Sequence, residues 1–183
     1  TNTFCIQSAA EILEVFPVNF KIVVFFFIAL GICSCQNKSS VDDNVKKLMG
    51  TTLLIPGEGK QNHDFMVVHY VDSLGCTSCK LRVANWVAFN EKIKDYSIDF
   101  GILFIANSSV YNDVFQMLEP LKYKNVQILE DVDNDWKKRN QLPASELFNT
   151  FLIDKKRRIL LVGNPAINSK IEDLMVKTMN KLK

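Results

Sequence analysis

The sequence predicts an α/β layer fold with a central mixed sheet flanked by helices. Two runs, apolar but for His69 and Asp99, read as strands buried on both faces, as in a central parallel sheet. One is Phe65-Met66-Val67-Val68-His69-Tyr70-Val71, and the other covers residues 98–106. Stretches with helical spacing of apolar residues alternate with these runs, and two short strands around a charged turn close the pattern.

Taken in order, residues 53–55 read as a short strand before the turn Pro56-Gly57-Glu58-Gly59. After the 65–71 strand, a loop over 72–77 leads into a helix that runs to about Lys94, with Leu81, Ala84, Val87 and Ala88 at helical spacing. The second strand, 98–106, is followed by a short helix over 113–121 and a third strand over 126–129. An acidic stretch, 130–135, precedes one or two helical turns over 136–141. Strands at 150–153 and 158–162 flank the turn Asp154-Lys155-Lys156-Arg157, and Gly163-Asn164-Pro165 ends them. The last helix starts near Asn168 and places Ile171, Leu174, Met175, Thr178 and Leu182 on one face. Parallel βαβ units come first, and an antiparallel hairpin with a closing helix comes last.

Upstream of this domain, residues 22–32 are eleven consecutive apolar or small residues, preceded by Lys21. That run is shorter than the roughly 20 residues needed to span a bilayer, and it fits the apolar core of a signal peptide. Ile32-Cys33-Ser34-Cys35 resembles a bacterial lipobox, which implies lipidation at Cys35. Residues 1–35 are therefore expected to be a leader, 36–47 a polar, flexible tether, and 48–183 the domain. Glu11 and Glu14 have the wrong charge for the start of a leader, whereas Val18-Asn19-Phe20-Lys21 suits one. Residues 1–17 are accordingly expected to be an over-long reading of the gene.

The net charge is +2, and removing the leader leaves 21 basic and 18 acidic residues. That balance gives no reason to expect a nucleic-acid partner. The basic run 155–158 reads as a solvated turn.

Of the five cysteines, Cys5 and Cys33 fall in the leader and Cys35 would carry lipid. The exported domain then holds one pair, in Gly75-Cys76-Thr77-Ser78-Cys79-Lys80, between a buried strand and a helix. A helix start offers unpaired N–H groups that stabilise a thiolate. Cys76 is expected to be the more exposed, attacking sulfur, with Cys79 one turn on to resolve a mixed disulfide. Thr77 and Ser78 could supply hydroxyl donors. Three other readings of the pair stay open: a closed structural disulfide, half of a metal site, and two inert thiols. Structural zinc wants four ligands, and the two histidines, His63 and His69, both lie upstream, so no metal site and no cofactor are expected. Trp86 and Trp136 read as packing residues. Asp131, Asp133 and Asp135 read as a solvated turn, because a calcium loop would need a Gly and a distal Glu that are missing here.

Three segments carry a family resemblance over about residues 48–183: residues 68–79 with the CxxC, Thr150-Phe151-Leu152-Ile153-Asp154, and Ile159-Leu160-Leu161-Val162-Gly163-Asn164-Pro165. Together they resemble the thioredoxin superfamily, in particular its extracytoplasmic, membrane-tethered branch of TlpA-like and ResA-like thiol-disulfide proteins, and the thioredoxin-like lipoproteins of Bacteroides-type bacteria. The resemblance implies a thioredoxin-like fold and a thiol-disulfide oxidoreductase acting through Cys76 and Cys79 on thiols and disulfides of other proteins. It implies a place outside the cytoplasm of a Gram-negative bacterium, held to a bilayer by lipid; a reductase would need a membrane electron donor. The alternative is a binding or assembly module of the same fold whose CxxC does not exchange. The motif departs from the family pattern at three places. Thr77-Ser78 fills the usual Gly-Pro position, and Tyr70 stands where a buried acid is implied, with Asp72 two positions on. Phe148 stands where the resemblance implies a substrate-binding cis-proline, and Pro143, five residues earlier, is the nearest candidate for that role.

Overall fold

The computed structural model describes residues 36–56, 62–121 and 125–183. The leader with Cys35, and with it the lipobox, lies outside the described residues. Among the described residues no helix is long and apolar enough to cross a membrane. The chain divides into two units, Thr1–Asn44 and Val45–Lys183. Helix α1, Gln36–Leu48, accounts for the described part of the first and opens the second. Its polar composition predicts a flexible tether, but the segment is helical.

The sheet has five strands: β1 (Phe65–Val71), β2 (Phe100–Asn107), β3 (Val126–Asp131), β4 (Thr150–Asp154) and β5 (Ile159–Val162). Their spatial order is β3-β2-β1-β4-β5. β1, β2 and β3 are parallel, while β4 pairs antiparallel with both β1 and β5. This is the mixed sheet that the strand order and the charged turn predict. The 53–55 strand reduces to an isolated bridge between Thr52 and Arg158.

Between the strands lie α2 (Thr77–Leu81), α3 (Val83–Lys94), α4 (Tyr111–Met117), α5 (Trp136–Arg139) and the closing α6 (Ser169–Leu182). Every residue of β1 is buried, and alternation along the strand divides its side chains between two layers. On one face Phe65, Val67 and Val71 join Phe100, Ile102 and Phe104 of β2. They pack with Trp86, Phe89 and Ile93 of α3 and Met175 and Met179 of α6. Trp86 meets Phe89 and Phe104 edge to face, at centroid distances of 6.0 and 5.2 Å. On the other face Tyr70 stacks on Trp136 at 5.2 Å, and Trp136 meets Phe151 at 6.4 Å. Trp136 also donates its Nε1–H to Leu54 O at 2.6 Å. Both tryptophans are packing residues.

Two local features depart from the pattern. The helix expected from the CxxC to Lys94 is broken at Arg82, which takes a left-handed conformation (φ 44°) and separates α2 from α3. Arginine is an ordinary helix former, so nothing in the local sequence signals the break. The acidic stretch is not uniformly solvated either. Asp131 is fully buried and accepts from Trp136 N at 3.1 Å and from the Tyr70 hydroxyl at 3.3 Å. Its carboxylate holds α5 against the sheet, which a reading of the stretch as a charged turn misses.

Candidate functional site

β1 runs into a short loop whose geometry is set by Asp72 and Gly75. Asp72 Oδ1 accepts from Leu74 N at 3.1 Å. Gly75 has φ +70°, a conformation that L side chains rarely adopt, and Lys80 Cε lies 3.7 Å from where a Cβ would stand. Cys76 follows as the N-cap of α2.

Cys76 and Cys79 are joined in a disulfide, with their Cα atoms 5.4 Å apart. Cys76 Sγ accepts from Cys79 N at 3.3 Å and lies 3.3 Å from Ser78 Oγ. Cysteine thus fills the place of a Ser or Asp cap, and the sulfur that would carry charge on reduction already has a backbone donor. A helix of five residues has little macrodipole, so the local N–H and the Ser78 hydroxyl provide the stabilisation. Of the two predicted hydroxyls, it is Ser78 that reaches the sulfur. Both cysteines are exposed; exposure alone does not make Cys76 the more accessible of the two.

A charged network flanks the dithiol. Lys80 Nζ pairs with Asp72 Oδ1 at 3.0 Å and with Glu146 Oε1 at 2.5 Å. Glu146 opens a single 3-10 turn, Glu146–Phe148. This turn lies just before β4, in the segment where the resemblance implies the substrate-binding loop. The half-buried Lys137 donates to Ala144 O at 3.1 Å and to Asn149 Oδ1 at 2.8 Å, and Asn149 Nδ2 donates to Asp72 Oδ2 at 3.4 Å. Asn149 O also accepts from Tyr70 N at 2.7 Å. The loop before β4 is therefore held to the dithiol segment by Lys80 and Asn149, and to α5 by Lys137.

These contacts shift the titrations. Burial works against the Asp72 carboxylate, but the Lys80 ammonium, the Leu74 N–H and the Asn149 amide outweigh it and hold its pKa below the ordinary value. Glu146, then Asp72, holds the Lys80 pKa up against some burial. Burial lowers the Lys137 pKa, opposed by Asp72 and Glu146.

Pro143 lies half-buried in the loop that leads to Glu146, and every described peptide bond is trans. The side chain of this loop that reaches the dithiol helix is Glu146, through Lys80. Phe148, at the position where the resemblance implies proline, is a core residue, 2% exposed. Tyr70, at the implied acid position, points to the Trp136 face, and burial first among several causes raises its pKa to about 12. His69 lies on the face of Trp86, with Nδ1 2.8 Å from Thr150 Oγ1, and burial pushes its pKa down to about 4. Sequence reasoning singled out Asp72 and the two cysteines. It missed Lys80, Lys137, Glu146 and Asn149, whose roles depend on contacts across up to 77 residues of chain.

No protein-family model matches the chain, and no curated protein matches it. Solved structures do. The chain is similar to a protein of Chlorobium tepidum assigned as the thiol:disulfide interchange protein DsbE. The TM-score is 0.50 at 14% identity, over 72% of this chain and 95% of that one. It is similar to the same degree, TM-score 0.50 at 16% identity, to the C-terminal domain of an uncharacterized protein of Bacteroides fragilis, over 69% of this chain and 96% of that one. The fold is thioredoxin-like. A thiol:disulfide interchange protein from a Bacteroides species aligns with a TM-score of 0.48 at 16% identity, over 69% of this chain and 90% of that one. Within this fold, the Cys76–Cys79 bond stands at the start of the helix that follows the central strand β1.

Proposed function

We propose that the chain is a thiol-disulfide oxidoreductase acting on extracytoplasmic proteins, held to a membrane by lipid on Cys35. Residues 1–35 serve as the leader and 36–47 as the link to the bilayer. The observation that carries the reading is the exposed Cys76–Cys79 disulfide at a helix start, with Cys79 N–H already directed at Cys76 Sγ.

In the reducing direction, the Cys76 thiolate attacks a sulfur of a substrate disulfide. That S–S bond breaks, a mixed disulfide forms, and the first substrate sulfur leaves as a thiolate that takes up a proton. Cys79, deprotonated, then attacks Cys76 Sγ and expels the second substrate sulfur, leaving the Cys76–Cys79 bond. Two electrons pass from the dithiol to the substrate, and a dithiol donor at the membrane would restore the reduced state. The oxidising direction is the same sequence reversed. Substrate chain would lie over the loop from Pro143 to Asn149, beside Cys76.

Cys76→Ser should abolish reduction of a model protein disulfide while leaving the thermal transition within a few degrees of the parent. Full exchange activity in that variant overturns the reading. The second reading, a binding or assembly module whose CxxC does not exchange, is favoured by the buried Phe148 at the substrate-loop position. The reduction potential separates the two. An exchanger should lie at about −120 to −270 mV, and a structural bond below about −300 mV.

A further inference from the structure

We propose that the pole of the domain opposite the dithiol docks on an anionic bilayer surface, so that Cys76 points away from the membrane. The inference rests on the reading that the chain is anchored through Cys35.

β1 begins at this pole with Phe65 and ends at Val71 beside the dithiol loop, about 20 Å away at 3.3 Å per residue. The antiparallel register agrees, since Phe65 is opposite Asp154 and His69 is opposite Thr150. A cleft of about 610 Å³ opens here. Its apolar lining is Phe65, Leu160 and Leu182, and Leu182 is 54% exposed. Its cations are Lys155, Lys156, Arg158 and Lys183.

The acids in the cleft are already occupied. Asp64 pairs with Lys155 at 3.1 Å, and Asp154 with Arg158 at 2.6 Å. Lys156 and Lys183 make no ion pair among the described residues. The sequence reads 155–158 as a solvated turn, but the fold adds Lys183 from the far end of the chain and an apolar lining beneath the cations. Apolar side chains under unpaired cations suit an interface of acyl chains and phosphate headgroups.

The path of the chain fits the same assignment. Gly50 lines the cleft and donates to Ile159 O at 2.8 Å, and Thr52 bridges to Arg158. Residues 50–52, near the start of the second unit, therefore run along this pole, with Lys46 and Lys47 within four residues of Gly50.

The test uses the full chain reconstituted into vesicles of phosphatidylcholine alone or mixed with phosphatidylglycerol, then treated with an amine-acylating reagent. Mass spectrometry reads each lysine. Lys156 and Lys183 should be acylated about fivefold more slowly on the anionic vesicles, and high salt should remove the difference. Lys170, at the opposite end of α6 from Leu182, should react equally on both. The double variant Lys156→Glu/Lys183→Glu should lose the protection of Lys155. Equal acylation on both vesicle types, with the protein floating on both, overturns the docking and leaves the anchoring intact. Failure to float on either overturns the anchoring and the docking with it. Equal protection by inorganic phosphate without vesicles assigns the cleft to a soluble anion, and protection only by an acidic protein assigns it to such a partner; either result overturns the bilayer assignment.

Discussion

His69 makes the stability of this domain depend on pH in a way that can be isolated. It is 6% exposed, set between Trp86 and Phe104, and burial holds its pKa near 4, against an ordinary 6.5. Between those values the unfolded chain binds a proton that the folded chain does not. Stability therefore falls as pH drops through this window and levels off below it. Integrating the linkage gives a loss of about 2 kcal/mol by pH 5 and about 3 kcal/mol by pH 4. Lowered carboxylate pKa values, as at Asp72, add a loss that lies mainly below pH 5. His69→Gln removes the histidine term and leaves those carboxylates in place. The variant should be less stable at pH 7, because Thr150 loses its imidazole partner, yet it should lose about 2 kcal/mol less than the parent between pH 7 and pH 5. Urea unfolding at several pH values measures both curves. Parallel loss in the two proteins would refute the argument that a buried neutral imidazole governs this window.

Three further outcomes are expected. Lys80→Met should cost about 1 kcal/mol at pH 7 through loss of the Asp72 and Glu146 pairs. The Asp72 share, whose pKa is depressed in the fold, should fade as pH falls below about 4, which unfolding at pH 7 and pH 3 would check. Phe148→Ala should cost about 3–5 kcal/mol, while Leu147→Ala, 60% exposed beside it, should change stability by less than about 0.5 kcal/mol in the same urea titration. Asn168 caps α6 by accepting from Lys170 N at 3.0 Å and Ile171 N at 3.3 Å, so Asn168→Ala should lower stability by about 1 kcal/mol with an unchanged m-value.

The features legible in the sequence were those written in local patterns. The apolar runs of β1 and β2 signal buried strands because burial on both faces excludes polar residues. The Asp154–Arg157 turn signals the β4–β5 hairpin because the charged residues 154–158 interrupt two apolar runs. The dithiol was legible because its cysteines lie three residues apart at a strand-to-helix junction. The rest depends on contacts far apart in the chain. Lys137, Glu146 and Asn149 look like ordinary surface residues until the loop before β4 folds against Asp72 and Lys80. Asp131 reads as one acid among several, and only the approach of Tyr70 and Trp136 explains its burial. Helix α1 carries a thin apolar stripe of Val41, Val45 and Leu48 at helical spacing, which its otherwise polar composition masks, and the break at Arg82 has no residue to announce it.

That break divides the helix following β1 into two parts that can open independently. Unwinding α2 releases Lys80 N–H from Cys76 O and Arg82 N–H from Ser78 O, and it uncovers one buried side chain, Leu81. The first turn of α3 keeps its own bonds, from Asn85 N and Trp86 N to Arg82 O, and its buried face of Trp86, Phe89 and Ile93 stays in place. Amide exchange should therefore be fast across Thr77–Leu81 and slow from Phe89 onward, because the first segment opens locally and the second only with the core. The sulfurs ride on a turn that can re-form around a bound partner, while the shelf beneath it stays folded.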